Sequence, residues 1–279
     1  MTRTSVRSRL LQTKVGDYIM KKILLALTAV AAMTGSASAA DLAARPYVKA
    51  PMAAPVANWT GFYIFGGAGG GLSNADQHVR DTLTGTPLTI DQRQGGSGWF
   101  GTVGLGYDWQ FSGTWVAGVF ADGQFGSIRA TIQDPIFGIT GSQKLEDSWA
   151  AGVRLGWLVA PNVLSYVNGG YSGAHFGQTN FQTLAGAPAG AHLNSYNRNG
   201  WFIGGGVENN LNIFGIQSPG WFMKTEYRSA FYNAKTQDEL IDGTNLPTGN
   251  SIRANSWNQT ISTSLVYRFN WTGPVVAKY

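Results

Sequence analysis

Taken in steps of two, residues 148–159 (SWAAGVRLGWLV) divide into two unlike sets: Trp149, Ala151, Val153, Leu155 and Trp157 on one side, Ala150, Gly152, Arg154 and Gly156 on the other. In a buried helix or a buried parallel strand, Arg154 would be an unpaired charge in the core, which is costly. The stretch is therefore a strand separating two environments. The same period recurs along the chain. Trp99, Val103, Leu105, Tyr107 and Trp109 oppose Thr102, Gly104, Gly106 and Asp108, and Trp115, Val119 and Phe125 oppose Asp122 and Gln124. Further on, Trp201, Ile203, Val207 and Leu211 oppose Glu208 and Asn210, while Trp221, Met223, Tyr227 and Phe231 oppose Lys224, Glu226 and Arg228. A last segment sets Ile261, Leu265, Tyr267 and Phe269 against Thr260, Ser262, Ser264 and Arg268. Two more, Trp59 to about Gly71 and Val163 to about Phe176, alternate less cleanly and their facing is left open; they bring the strands to eight.

The connections sort by length. Those after the second, fourth and sixth strands are short, whereas the other four run near Ser73 to Gly98, Ile128 to Ser148, Gly177 to Arg198 and Asn233 to Ser256 and are rich in polar residues. All the long ones lie at one end. Eight antiparallel strands with one apolar face, tryptophans near both strand ends, short turns at one end and long polar loops at the other are what an eight-stranded antiparallel transmembrane β-barrel requires. In hydrocarbon every backbone N–H and C=O must be paired, and a closed sheet achieves this without helices. A soluble eight-stranded barrel would turn its apolar face inward. Here that face carries Trp, Tyr, Leu and Val, and an eight-stranded interior is expected to have room only for the glycines and charges opposite. The lumen should then hold Asp108, Asp122, Glu208 and Glu226 with Arg154, Lys224, Arg228 and Arg268, four acids against four bases.

Composition agrees with this picture and trims it. Of the 279 residues 38 are glycine, and there are 10 Trp, 11 Tyr and 14 Phe but no cysteine, so no disulfide framework exists. Lys21 and Lys22 precede the apolar run Ile23–Ala32, and Ala37-Ser38-Ala39 offers a small-residue cleavage site; residues 1–39 read as a targeting segment, with Met20 the expected start. That segment holds 6 of the 20 basic and 1 of the 15 acidic residues, so the mature chain is neutral and the basic balance of the full sequence gives no reason to expect nucleic-acid binding. Residues 40–58 form a Pro/Ala-rich periplasmic linker, 59–271 the barrel and 272–279 a short tail.

NWTGFYIFGG at Asn58–Gly67, ADLAARPYVKAP at Ala40–Pro51 and LVYRFNWTGPVVAKY at Leu265–Tyr279 resemble the small alphaproteobacterial outer-membrane proteins of the RopB type, within the OmpA-like transmembrane-barrel superfamily. The resemblance implies an abundant surface protein of the Gram-negative outer membrane, set among outer-membrane lipids and lipopolysaccharide, and a monomer is expected. Leu265, Tyr267 and Phe269 resemble the terminal aromatic signal read by the barrel-assembly machinery. Related barrels expose an Ala-Asp N-terminus to which peptidoglycan is attached, and cleavage after Ala39 would expose Ala40-Asp41. Unlike OmpA itself, no periplasmic peptidoglycan-binding domain is expected after Phe269.

Catalytic chemistry is not expected. His78, His175 and His192 are scattered, with no second His or Cys at ligand spacing, and Gly66–Gly71 is no phosphate loop because no amphipathic helix follows it. No cofactor or metal is implied. The readings in play are a structural and surface-interaction barrel, a narrow small-solute channel, and a lipid-modifying enzyme, for which a convergent Ser/His/acid set would be needed.

Overall fold

A computed structural model describes residues 58–213 and 216–269, with only the backbone described for residues 212, 213 and 216–219. The chain forms β1 (Gly61–Asp81), β2 (Gln92–Phe111), β3 (Trp115–Asp134), β4 (Ile139–Ala160), β5 (Val163–Phe176), β6 (Thr179–Thr183), β7 (Pro188–Leu193), β8 (Tyr196–Ile213), β9 (Ile216–Ile241) and β10 (Pro247–Arg268). All pairings are antiparallel, and the order β10-β1-β2-β3-β4-β5-β8-β9 closes where β9 meets β10. Near the outer end, β6 pairs with β4 and β7 with β9, so the β6–β7 hairpin continues β5 and β8 past short interruptions. The ring is thus eight strands around at every level. The targeting segment, residues 40–57 of the linker and the tail lie outside the described residues.

The parity read from sequence is the parity of the ring. Trp99, Val103, Trp109, Val153, Trp157, Trp201 and Ile261 are exposed on the outside, while Asp108, Arg154, Glu208 and Arg268 are buried within. Strands whose facing was open are now placed: Tyr63 and Phe65 point inward with Phe62 and Ile64 outward on β1, and Leu164, Tyr166 and Asn168 point inward with Val167 and Tyr171 outward on β5. Aromatic pairs mark two outer belts. Trp115 packs edge-on to Trp157 and Trp221 tilts against Tyr267 at the short-turn end, whereas Trp149 meets Tyr171 and Trp201 stacks on Phe231 at the other. Trp149 and Trp157 are roughly 26 Å apart along their strand, which at a tilt of about 40° spans about 20 Å of the membrane normal and so covers most of the ~25 Å apolar band of an outer-membrane barrel.

The strands do not stop at the upper belt. β4 starts at Ile139, and β9 runs on to Ile241, well beyond Trp149 and Phe231. The polar segments expected as long loops are therefore long connections built mostly of strand, with tight turns at their tips. Above the belt the outside meets water and the inside is sealed, so the polarity of the alternation inverts: Val79, Ile132, Ile139, Phe181, Leu193 and Ile252 cluster inside, while Arg93, Arg129 and Lys144 face out. Bulges sit at this transition, between Phe125 and Ile128 on β3, between Leu145 and Asp147 on β4, and on β9 opposite Ala254–Ser256.

Candidate functional site

The interior of the membrane section is filled. Arg154 on β4 donates through Nε to Asp108 Oδ1 at 2.8 Å and through Nη2 to Asp108 Oδ2, and reaches Glu208 Oε2 on β8 at 3.2 Å. Arg268 on β10 bridges the same two acids, to Glu208 Oε1 at 2.7 Å and Asp108 Oδ2 at 2.8 Å. One layer further out, Arg228 holds Asp122 at 2.6 Å and Glu226 at 2.8 Å, and Lys224 lies 3.7 Å from Glu226. The eight charges expected in the lumen are all placed there, each beside an opposite charge, and every one is buried. They come from β2, β3, β4, β8, β9 and β10, so the pairs tie opposite walls together.

The expectation that glycines and charges alone would fit inside is corrected. Tyr63, Phe65, Phe120, Tyr166 and Phe202 also point into the lumen. They sheath the cations: Arg154 lies 4.3 Å from the Tyr63 ring centre, Lys224 3.3 Å from that of Phe65, and Arg228 4.7 Å from that of Phe202. Inward glycines make the room. A Cβ on Gly104 would lie 2.4 Å from the Phe65 ring, on Gly106 2.3 Å from the Tyr63 hydroxyl, and on Gly152 2.8 Å from the Phe202 ring. A large ring fits inside where the next strand places a glycine opposite it, as Phe65 faces Gly104 and Tyr63 faces Gly106, a pairing that the bulk of one face does not reveal.

Two further lumen groups escaped the sequence reading. Tyr166 donates to Glu226 at 2.8 Å, and its strand was one whose facing stayed open. Arg198 is buried, donating to the Tyr196 hydroxyl at 2.9 Å and to Ser256 Oγ at 3.2 Å. At the short-turn end Trp59 lies under Arg268, with its ring centre 4.4 Å from the guanidinium and its Nε1 donating to the Pro161 carbonyl at 3.2 Å. Leu265 and Phe269 are exposed on the wall and Tyr267 packs against Phe269, whereas Ala40 and Asp41 lie outside the described residues.

The histidines stay apart. His78 meets Asp91 at 2.8 Å, His175 meets Asn197 at 2.7 Å, and His192 meets Asp242 at 2.6 Å. Among the described residues no three His, Cys, Asp or Glu gather as metal ligands. A groove of about 680 Å³, lined by Tyr107, Trp109, Val119, Val153 and Val167, lies on the outer wall between the belts, where lipid chains lie.

A sheet closed on itself, apolar outside between two aromatic belts and charged within, defines a transmembrane β-barrel. Residues 23–269 match the family described as outer membrane protein beta-barrel domain, and the chain belongs to that family. It is a protein of the Gram-negative outer membrane. Solved structures similar to it include OprG from Pseudomonas aeruginosa (12% identity, 76% of this chain and 98% of that one, TM-score 0.42), the outer membrane protease OmpT from Escherichia coli (10%, 76% and 98%, 0.38) and Ail, the attachment invasion locus protein of Yersinia pestis (13%, 72% and 99%, 0.30). These likenesses are too distant to carry any inference about activity. No curated protein sequence matches the chain.

Proposed function

We propose that this protein is a non-enzymatic, non-conducting barrel that reinforces the outer membrane and meets the exterior through its raised rim; the RopB-type resemblance implies a surface protein. One observation carries the reading: the Arg154–Asp108–Arg268–Glu208 cluster crosses the lumen and is flanked by rings on both sides. A solute path needs water there. Desolvated ion pairs with good geometry are expensive to break from one side, since each freed charge is left without a partner. An eight-stranded barrel has only enough interior for its own side chains. Planar-bilayer recording of the refolded full chain tests it: stable, solute-permeable openings from single barrels would overturn the reading, and electrical silence is expected.

A further inference from the structure

At the outer mouth two carboxyl groups meet across the interior. Asp134 ends β3 and Glu239 lies near the end of β9, two strands that are not neighbours in the ring. Both residues are completely buried. Asp134 is surrounded by donors: its Oδ1 accepts the Ile136 amide at 2.6 Å and the Phe137 amide at 3.3 Å, and its Oδ2 accepts Asn250 Nδ2 from β10 at 2.7 Å. That is the setting of a carboxylate. Glu239 is the reverse case: its oxygens are buried without a well-formed hydrogen bond, and the groups beside it are the Thr248 hydroxyl, a single donor, and the Asp134 carboxylate, a second acceptor. An ionised Glu239 there would be a buried charge facing a second one of the same sign.

We infer that Glu239 is protonated and donates to Asp134, forming a proton-held clasp that joins β3 to β9 across the outer mouth and opens when the proton leaves. Burial first, then the Asp134 charge, push the Glu239 carboxyl up to about 8. Other titratable groups near the mouth do not compensate it. His192 on β7 is paired with Asp242, Asp238 and Arg80 lie on outward positions of β9 and β1, and Asp81 is engaged by Thr84; β10 brings only the neutral Asn250 and Thr248. The donors around Asp134 suit an anion, and Asn250 turns its amide nitrogen toward the pair, an arrangement that does not suit a metal ion.

The sign of the pH effect follows from proton counting. Between the usual carboxylate value of 4.5 and about 8, the closed mouth holds a proton that the open mouth releases. Opening therefore becomes more favourable by about tenfold per pH unit across that window and levels off above it. The chain has no cysteine, so spin labels at Phe137→Cys and Thr244→Cys report the span between the two turns by pulsed electron resonance. One narrow distance is expected at pH 5, with a second, longer population growing towards pH 8. Glu239→Gln, which keeps a donor for Asp134 but cannot ionise, should hold the narrow distance throughout. A wild-type distance indifferent to pH, the same pH step in Glu239→Gln, or closure that requires added calcium would each overturn the clasp. If the variant does not refold, carbon-13 titration of the Glu239 carboxyl in the wild type decides: a midpoint near 8 is expected, and one near 4.5 refutes it.

Discussion

Arg154 shows why a charge can sit in an apolar run. Its guanidinium has a rigid fork of donors, one side taken up by both oxygens of Asp108 and another nitrogen turned to Glu208, with Tyr63 and Tyr166 stacked on its faces. Lysine could not make that set of contacts. Truncating it strands two buried carboxylates that Arg268 alone must then serve. Arg154→Ala is therefore expected to lower stability by about 3–5 kcal/mol, the range for breaking a buried pair from one side. Urea unfolding in detergent measures it, and an unchanged midpoint would mean that the lumen is wet enough to solvate the acids.

At the scale of one element, β1 separates two kinds of glycine. Gly66 faces lipid, and a Cβ there would find nothing closer than 3.8 Å; Gly67 faces the lumen, and a Cβ there would lie 2.1 Å from the Thr263 carbonyl and 2.5 Å from Ser264 Cα, both backbone. Gly66→Ala should fold to the compact, heat-modifiable form seen by electrophoresis, and Gly67→Ala should lose most of it. Strands β2 and β4 show what a sequence can tell. From Trp99 to Trp109 or Trp149 to Trp157 the environment on each side is constant, so alternation alone gave the strand and its facing. Beyond the upper belt the outside turns from lipid to water, and the bulges on β4 and β9 shift the inward positions from even to odd numbers, as Ala150 and Leu145, or Ala230 and Glu239, illustrate. Each change alone leaves a readable period; together they make a strand look like a polar loop. The lumen charges were legible because an acid or base opposite tryptophans has nowhere else to go. Tyr166, Arg198 and the Glu239–Asp134 pair were not, since the first lay on a strand of unclear phase and the others lay in stretches taken for loop.

At the largest scale, the described residues form one sheet in two solvents. In the lower section lipid wets the outside and ion pairs sheathed by rings fill the inside; in the upper section water wets the outside and an apolar cluster fills the inside. The upper section adds about ten residues per strand beyond the belt, which lifts the rim roughly 25 Å above the lipid boundary. This placement is testable without disturbing native cysteines, for there are none. In intact cells Val153→Cys should resist a membrane-impermeant maleimide, while Arg129→Cys, also outward but above the belt, should react readily. Equal labelling of the two would mean that the belts do not mark the membrane.

The unbroken register between β1 and β10, with every residue from Tyr63 to Asp81 facing a partner, sets a rule for how such a gene can change. Removing one residue from a paired strand turns every later side chain to the opposite wall, sending charges into lipid and outward rings into the filled lumen. Length in the membrane section can be altered only two residues at a time. The bulges just above the upper belt relax that rule, because there an odd residue is absorbed by a local kink. Insertions and deletions arising in descendants of this chain should therefore come in even numbers below Trp149 and in any number above it, leaving the rim free to diverge while the wall beneath it stays fixed in length.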